Sequence, residues 1–111
     1  METEIKVCLS DIQQAIMENE EFLPEEKNFL NFQTDTKTKR AVERNIEIIG
    51  EAVKRIIDVD PTVTITNARK IVDTRNRIIH GYDSVSVDIL WAIVIKEIPL
   101  LEQEINALLK K

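Results

Sequence analysis

The chain has 111 residues, the size of one ordinary domain, and 43% of them are hydrophobic, enough for a core and too many for global disorder. Lys and Arg number 15 against 20 Asp and Glu, and the net charge of −5 argues against a general nucleic-acid-coating protein while leaving room for a local basic site. A single cysteine and a single histidine exclude an intramolecular disulfide, and a zinc site of His and Cys ligands within one chain.

With 2 glycines and 3 prolines, tight turns are scarce, which favours long helices over many short strands. Ile5, Cys8, Ile12, Ala15 and Ile16 lie on one face of an amphipathic helix over roughly residues 3 to 20, with Cys8 read as a core thiol. No apolar leader follows Met1, and no apolar run reaches the about 20 residues of a membrane span, so a soluble, reduced, cytoplasmic protein is expected. Pro24 ends or restarts the chain and suits the first turn of a short second helix, with Glu25 and Glu26 favourable near its N-terminus and Phe29, Leu30 and Phe32 available for burial.

The polar stretch TDTKTKR (34–40) offers Thr34, Asp35 and Thr36 as N-caps for a third helix. Val42, Ile46, Ile49, Val53 and Ile56 then step by four, three, four and three, the strongest helix signal in the chain, from about 36 to 58. Gly50 inside this helix costs about 1 kcal/mol against alanine, and close approach by another helix is the expected reason. The stretch DVDPTVTIT (58–66) reads as a loop. Its DVD looks like a nucleotidyltransferase carboxylate pair, but the Gly-Ser element of such sites is missing, which leaves a solvated turn.

Thr66 or Asn67 can cap a helix whose apolar face is Ala68, Ile71, Val72, Ile78 and Ile79, and Gly81 ends it. Ser84 or Ser86 begins the last long element. The run ILWAIVI (89–95) would suit a buried strand, but no second strand is available to pair with it. As a helix apolar all round it needs cover on more than one side, which points to another subunit. Pro99 kinks or restarts this helix, and Ile98, Leu101, Ile105 and Leu108 carry the stripe to Lys110 and Lys111 at its dipole end. The expected fold is all-α, one up-and-down bundle of four to five helices over the single domain 1–111.

Chemistry concentrates in RNRIIHGYD (75–83). Arg75 falls in the middle of an apolar stripe, where a guanidinium needs an anionic partner or a wet cleft, unless it snorkels to the surface. Asn76 and His80 are four apart, so the amide can orient the imidazole, and Arg77 flanks His80 on its other side. His80 and Arg75 lie roughly 140° apart on an ideal helix and can converge through unwinding at Gly81 or across a dimer interface. A histidine can move protons near neutral pH, and a fixed arginine can stabilise extra negative charge on phosphorus. For RNA this chemistry needs no metal, because the 2′-hydroxyl is an internal nucleophile. A histidine near a helix C-terminus is also favourable on electrostatic grounds alone.

RNRIIHGY (75–82) resembles the Arg-x4-His-x-Tyr motif of HepT-like HEPN-domain proteins, the toxin half of HEPN/MNT toxin–antitoxin pairs. AVERNIEIIGEAVKRI (41–56) resembles that family's central helix, and LWAIVIKEIPLLEQEI (90–105) its last helices, so the resemblance covers nearly the whole chain. It implies a helical HEPN-like bundle that forms a homodimer, with two copies of the motif near the interface, and metal-independent RNA cleavage without a cofactor. By position, Arg75 would stabilise the transition-state phosphate, His80 would be the general acid/base and Asn76 would orient the site. Tyr82 matches the tyrosine that a partner MNT-type nucleotidyltransferase adenylylates to silence the toxin.

The implied substrate is an RNA such as tRNA or mRNA, with Arg77 as a substrate-binding residue. Lys37, Lys39, Arg40, Arg44, Arg69, Lys70 and Arg77 are the candidate basic patch, although charges spread over two helices are more often solvated faces. The competing expectation is a non-catalytic helical dimer that binds a nucleotidyltransferase partner or a nucleotide, with Arg75 and Arg77 gripping a phosphate.

Overall fold

The stripe from Val42 to Ile56 becomes the spine of the molecule. In the computed structural model, which describes residues 2–80 and 86–110, the order is α1 (Thr3–Phe22), α2 (Phe29–Thr34), α3 (Thr36–Val59), α4 (Ala68–His80), α5 (Val87–Ala92), a π-helical segment (Ile93–Glu97) and α6 (Ile98–Leu109). All the regular structure among the described residues is helical, as expected for an HEPN-like bundle. Val42, Ile46, Ile49, Val53 and Ile56 are all completely buried, and α3 packs against α1 and α4. Ile5, Leu9, Ile12 and Ile16 of α1 and Leu101 and Ile105 of α6 close the core around them. No helix among the described residues is long and apolar enough to cross a membrane.

The turns follow local chemistry, with one departure from expectation. Pro24 does not open the second helix. It disfavours helical geometry at the residue before it, and Leu23 is extended (φ −91°, ψ 141°), so the proline terminates α1. Helix α2 starts at Phe29, where the Asn28 side chain accepts the Asn31 N–H at 3.1 Å. Of the three N-cap candidates for α3, Asp35 is the one used: it accepts the Thr38 N–H at 3.0 Å and the Thr38 hydroxyl at 2.6 Å. Thr34 instead donates its hydroxyl to the Leu30 and Asn31 carbonyls.

In the loop after α3, Asp60 accepts the Thr62 N–H at 3.0 Å and the Thr62 hydroxyl at 2.6 Å, which makes the DVD stretch a turn. Thr66 and Asn67 direct their polar groups across the bundle. The Thr66 N–H and hydroxyl donate to Glu104, and the Asn67 amide donates to Glu97. Asn67 takes the left-handed backbone (φ 61°), a conformation that asparagine tolerates better than most residues.

Ser86 caps α5 by accepting the Ile89 N–H at 3.3 Å. Pro99 stands in the first turn of α6, directly after the π-helical segment, as a proline that restarts the α-helix. Its ring collides with the carbonyl one turn earlier in a regular α-helix. The backbone widens over Ile93–Glu97, and the Ile98 N–H reaches back five residues to the Ile93 carbonyl. Leu90, Ile93 and Val94 are buried within the chain, and the Trp91 ring meets Phe32 at 5.1 Å and Phe29 at 5.9 Å. Part of the cover that ILWAIVI requires is therefore supplied by α2, while Ile95 stays 39% exposed.

Ile49→Ala removes a fully buried side chain from the spine. It is expected to cost about 2–5 kcal/mol, read as a lower denaturant midpoint with a similar slope. The Thr38 hydroxyl and N–H hold the Asp35 carboxyl below its ordinary value of 3.8. Its stabilisation is complete above the unfolded value and is lost as pH falls through the lowered one. Asp35→Ala should therefore melt below the wild type at neutral pH, and the gap should narrow as pH falls below the ordinary value of 3.8 and through the lowered one.

Candidate functional site

Helix α4 carries the polar cluster. Ile71 and Thr74 are buried against the bundle, Arg75 and Asn76 are half-buried, and Arg77 and His80 are exposed. Arg75 leaves the helix on the side that faces α3, directly opposite Gly50. A side chain on Gly50 would run into Arg75 Cβ, and would stand 2.9 Å from Arg75 Cγ and 3.2 Å from the Ile71 carbonyl oxygen. The close approach anticipated from the lone helical glycine is thus an approach by the arginine itself.

Beyond this seam the guanidinium lines a cleft with Glu51, Lys54, Arg55 and Asp58, all from α3. Lys54 pairs with Asp58 at 2.8 Å, and Arg55 reaches Glu4 at 3.9 Å. Arg75 Nη1 donates to Asn76 Oδ1 at 2.8 Å, while its Nε is buried without an acceptor among the described residues. A buried N–H without a partner costs about 1–3 kcal/mol, and more on a charged group. Arg75 is therefore neither a snorkelling surface residue nor a satisfied core residue. It lines the cleft with a fixed positive charge, the chemistry that attracts an anionic oxygen.

Asn76, read from the sequence as a neighbour of His80, is placed by its carbonyl oxygen on Arg75 Nη1. His80 is the last residue of α4, and the helix is continuous from Arg75 to it. The five-residue step therefore keeps the turn of roughly 140° and rises about 7.5 Å. The helix shows no unwinding between Arg75 and His80, and the convergence expected from unwinding at Gly81 falls outside the described residues. Gly81, with its expected helix stop, and Tyr82 lie outside the described residues.

Arg77 shares a groove with Asn67, Arg69, Lys70, Asp73, Thr74 and Ile89. This groove collects Arg69, Lys70 and Arg77 from the candidate basic patch. Lys37, Lys39, Arg40 and Arg44 stand on α3 outside it, and Arg44 is tied to Glu47 at 3.1 Å. Lys70 is itself held by the buried carboxylate of Glu97 at 3.2 Å. Glu97 was not anticipated from the sequence; the available signal was a lone acid, beside Lys96, in the mostly apolar stretch ahead of Pro99. It anchors the start of α4, through Asn67 and Lys70, to the π-helical segment.

Cys8 is buried, as its stripe predicts. Burial pushes its thiol above the ordinary value, away from nucleophilic use. Among the described residues, no group of three or more His, Cys, Asp or Glu could hold a metal ion.

A family model described as Ribonuclease HepT-like matches residues 12–108. A Thermococcus cleftensis protein named "Probable ribonuclease HepT" is 38% identical over 109 residues, 95% of this chain and 96% of its own. A Methanocaldococcus jannaschii protein, provisionally named an RNase, is 32% identical over 111 residues, 96% of this chain and 88% of its own. A similarly named protein of Caldanaerobacter subterraneus subsp. tengcongensis is 35% identical over 85 residues, 76% of each chain. No solved structure matches the chain.

Proposed function

Since the chain belongs to the ribonuclease HepT-like family, we propose that it is a metal-independent RNA endonuclease, the toxin of an HEPN/MNT toxin–antitoxin pair. The observation that carries this reading is the state of Arg75: one guanidinium nitrogen is fixed by Asn76, and Nε is buried without an acceptor. A non-bridging phosphate oxygen that enters the cleft lined by Arg75 meets this held guanidinium, and the extra charge it gains during cleavage strengthens the attraction.

The reaction begins when the RNA 2′-hydroxyl attacks the adjacent phosphorus and the bond to the 5′-oxygen breaks. His80 serves as general acid/base, taking the 2′-hydroxyl proton or delivering one to the leaving 5′-oxygen. Its exposed place at the end of α4 leaves it accessible to an RNA strand. Arg77, in the neighbouring basic groove, holds the strand as it approaches.

Within one chain, Arg75 and His80 diverge. We therefore place the working site between two protomers, with the arginine of one beside the histidine of its partner. Ile79, 43% exposed next to His80, supplies apolar surface for that contact. Tyr82 is the off switch: a nucleotidyltransferase partner transfers AMP to it, and the bulky anionic group blocks or repels RNA. The unpartnered Nε would also suit a non-catalytic module that grips a nucleotide phosphate. A tight partner complex that survives His80→Ala, from a protein that cuts no RNA, would favour that alternative.

With labelled RNA in EDTA, Arg75→Ala and His80→Ala should each lose at least about 100-fold in cleavage rate. Equal cleavage by wild type and His80→Ala would refute the catalytic assignment. Mixing the two inactive variants should restore up to about a quarter of wild-type activity, because half of the dimers then hold one intact site. A mixture that stays inactive places Arg75 and His80 of the same chain in one site, or removes them from catalysis. Intact-mass analysis after incubation with the nucleotidyltransferase and ATP should show one added AMP, which Tyr82→Phe should abolish.

A further inference from the structure

Gly50 interrupts the most regular apolar stripe of the chain, and the obstacle to any larger residue there is Arg75. The atoms in the way, Arg75 Cβ and Cγ, are the root of the side chain. They cannot swing aside as the tip of a long side chain would. The Ile71 carbonyl, at 3.2 Å from the place of a Gly50 Cβ, belongs to the α4 backbone. Alanine at position 50 must therefore push α4 off α3 or rotate it. Either movement carries the guanidinium out of its place above Glu51, Lys54, Arg55 and Asp58, where Nε is already shielded from solvent.

We propose that Gly50 is a positioning residue of the arginine site: by letting the stem of Arg75 rest on the α3 backbone, it sets the height and direction of the guanidinium and so the place where the scissile phosphate binds. This deepens the RNA endonuclease reading and rests on it. Gly50 itself need not touch RNA. A packing role alone would cost stability, whereas a positioning role costs turnover in protein that is fully folded.

The test uses the full chain as wild type, Gly50→Ala, Arg75→Gly, the Gly50→Ala/Arg75→Gly pair, and Ile105→Val as a mild core control in α6. Thermal melts are recorded, and RNA cleavage in EDTA is measured below every melting temperature, with kcat and KM separated. Gly50→Ala should lose about 100-fold in kcat, the scale of a displacement of about 1 Å at a catalytic group, with little change in KM. Ile105→Val should keep wild-type kcat. The loss of melting temperature caused by Gly50→Ala should shrink when residue 75 carries no Cβ.

If Gly50→Ala does not fold, the pair decides: recovery of a cooperative melt upholds the seat, and continued unfolding overturns it. Wild-type kcat in Gly50→Ala, or an equal loss of melting temperature in both backgrounds, also overturns it. A wild type that cuts no RNA refutes the endonuclease reading by itself, and the melting temperatures then judge the seat alone.

Discussion

The seam between α3 and α4 is the constraint on which the site depends. At Gly50 the two helices come so close that Arg75 Cβ and Cγ occupy the space a side chain would fill. An arginine rooted there cannot turn its stem toward solvent, so its charged end is delivered into a cleft lined by α3. The geometry leaves one guanidinium donor buried and unmatched.

The far end of α4 is held by different physics. Glu97 is buried in the π-helical segment and binds Lys70 and the Asn67 amide, while Glu104 receives Thr66. A buried carboxylate is tolerable because it is paired and hydrogen-bonded. Pro99 contributes indirectly, since the widened turn it imposes lies over the residues that end in Glu97. Helix α4 is thus tied by polar groups at its start and seated by an absent side chain in its middle. Its C-terminal end, with His80, stays exposed.

Much of this was legible in the sequence. The three-four spacing of Val42 to Ile56 located α3 to within a residue of its observed end, and the glycine inside it announced a close contact. The oddity of Arg75 within an apolar stripe singled out a residue that the structure places half-buried in the seam with α3. Less legible was whatever depended on competition between neighbours. Pro24 fits the first turn of a helix as well as the end of one, and only the extended backbone of Leu23 decides between them. The apolar run ILWAIVI demanded cover, but that Phe29 and Phe32 reach Trp91 depends on how α2 folds back. Asn76 can reach residues on several sides, and its contact with Arg75 follows from where the guanidinium is forced to go.

By itself the sequence determined the helices, their apolar faces and the residue types of the candidate site. Periodicity, turn residues and ionisable groups are local properties, written in the order of the residues. The tertiary structure alone decided that the partner of Gly50 is Arg75, that Nε has no acceptor among the described residues, and that Glu97 anchors α4 through Asn67 and Lys70. These contacts join elements 25 to 30 positions apart, and their distances depend on how closely whole helices pack, a quantity that no single stretch of sequence encodes.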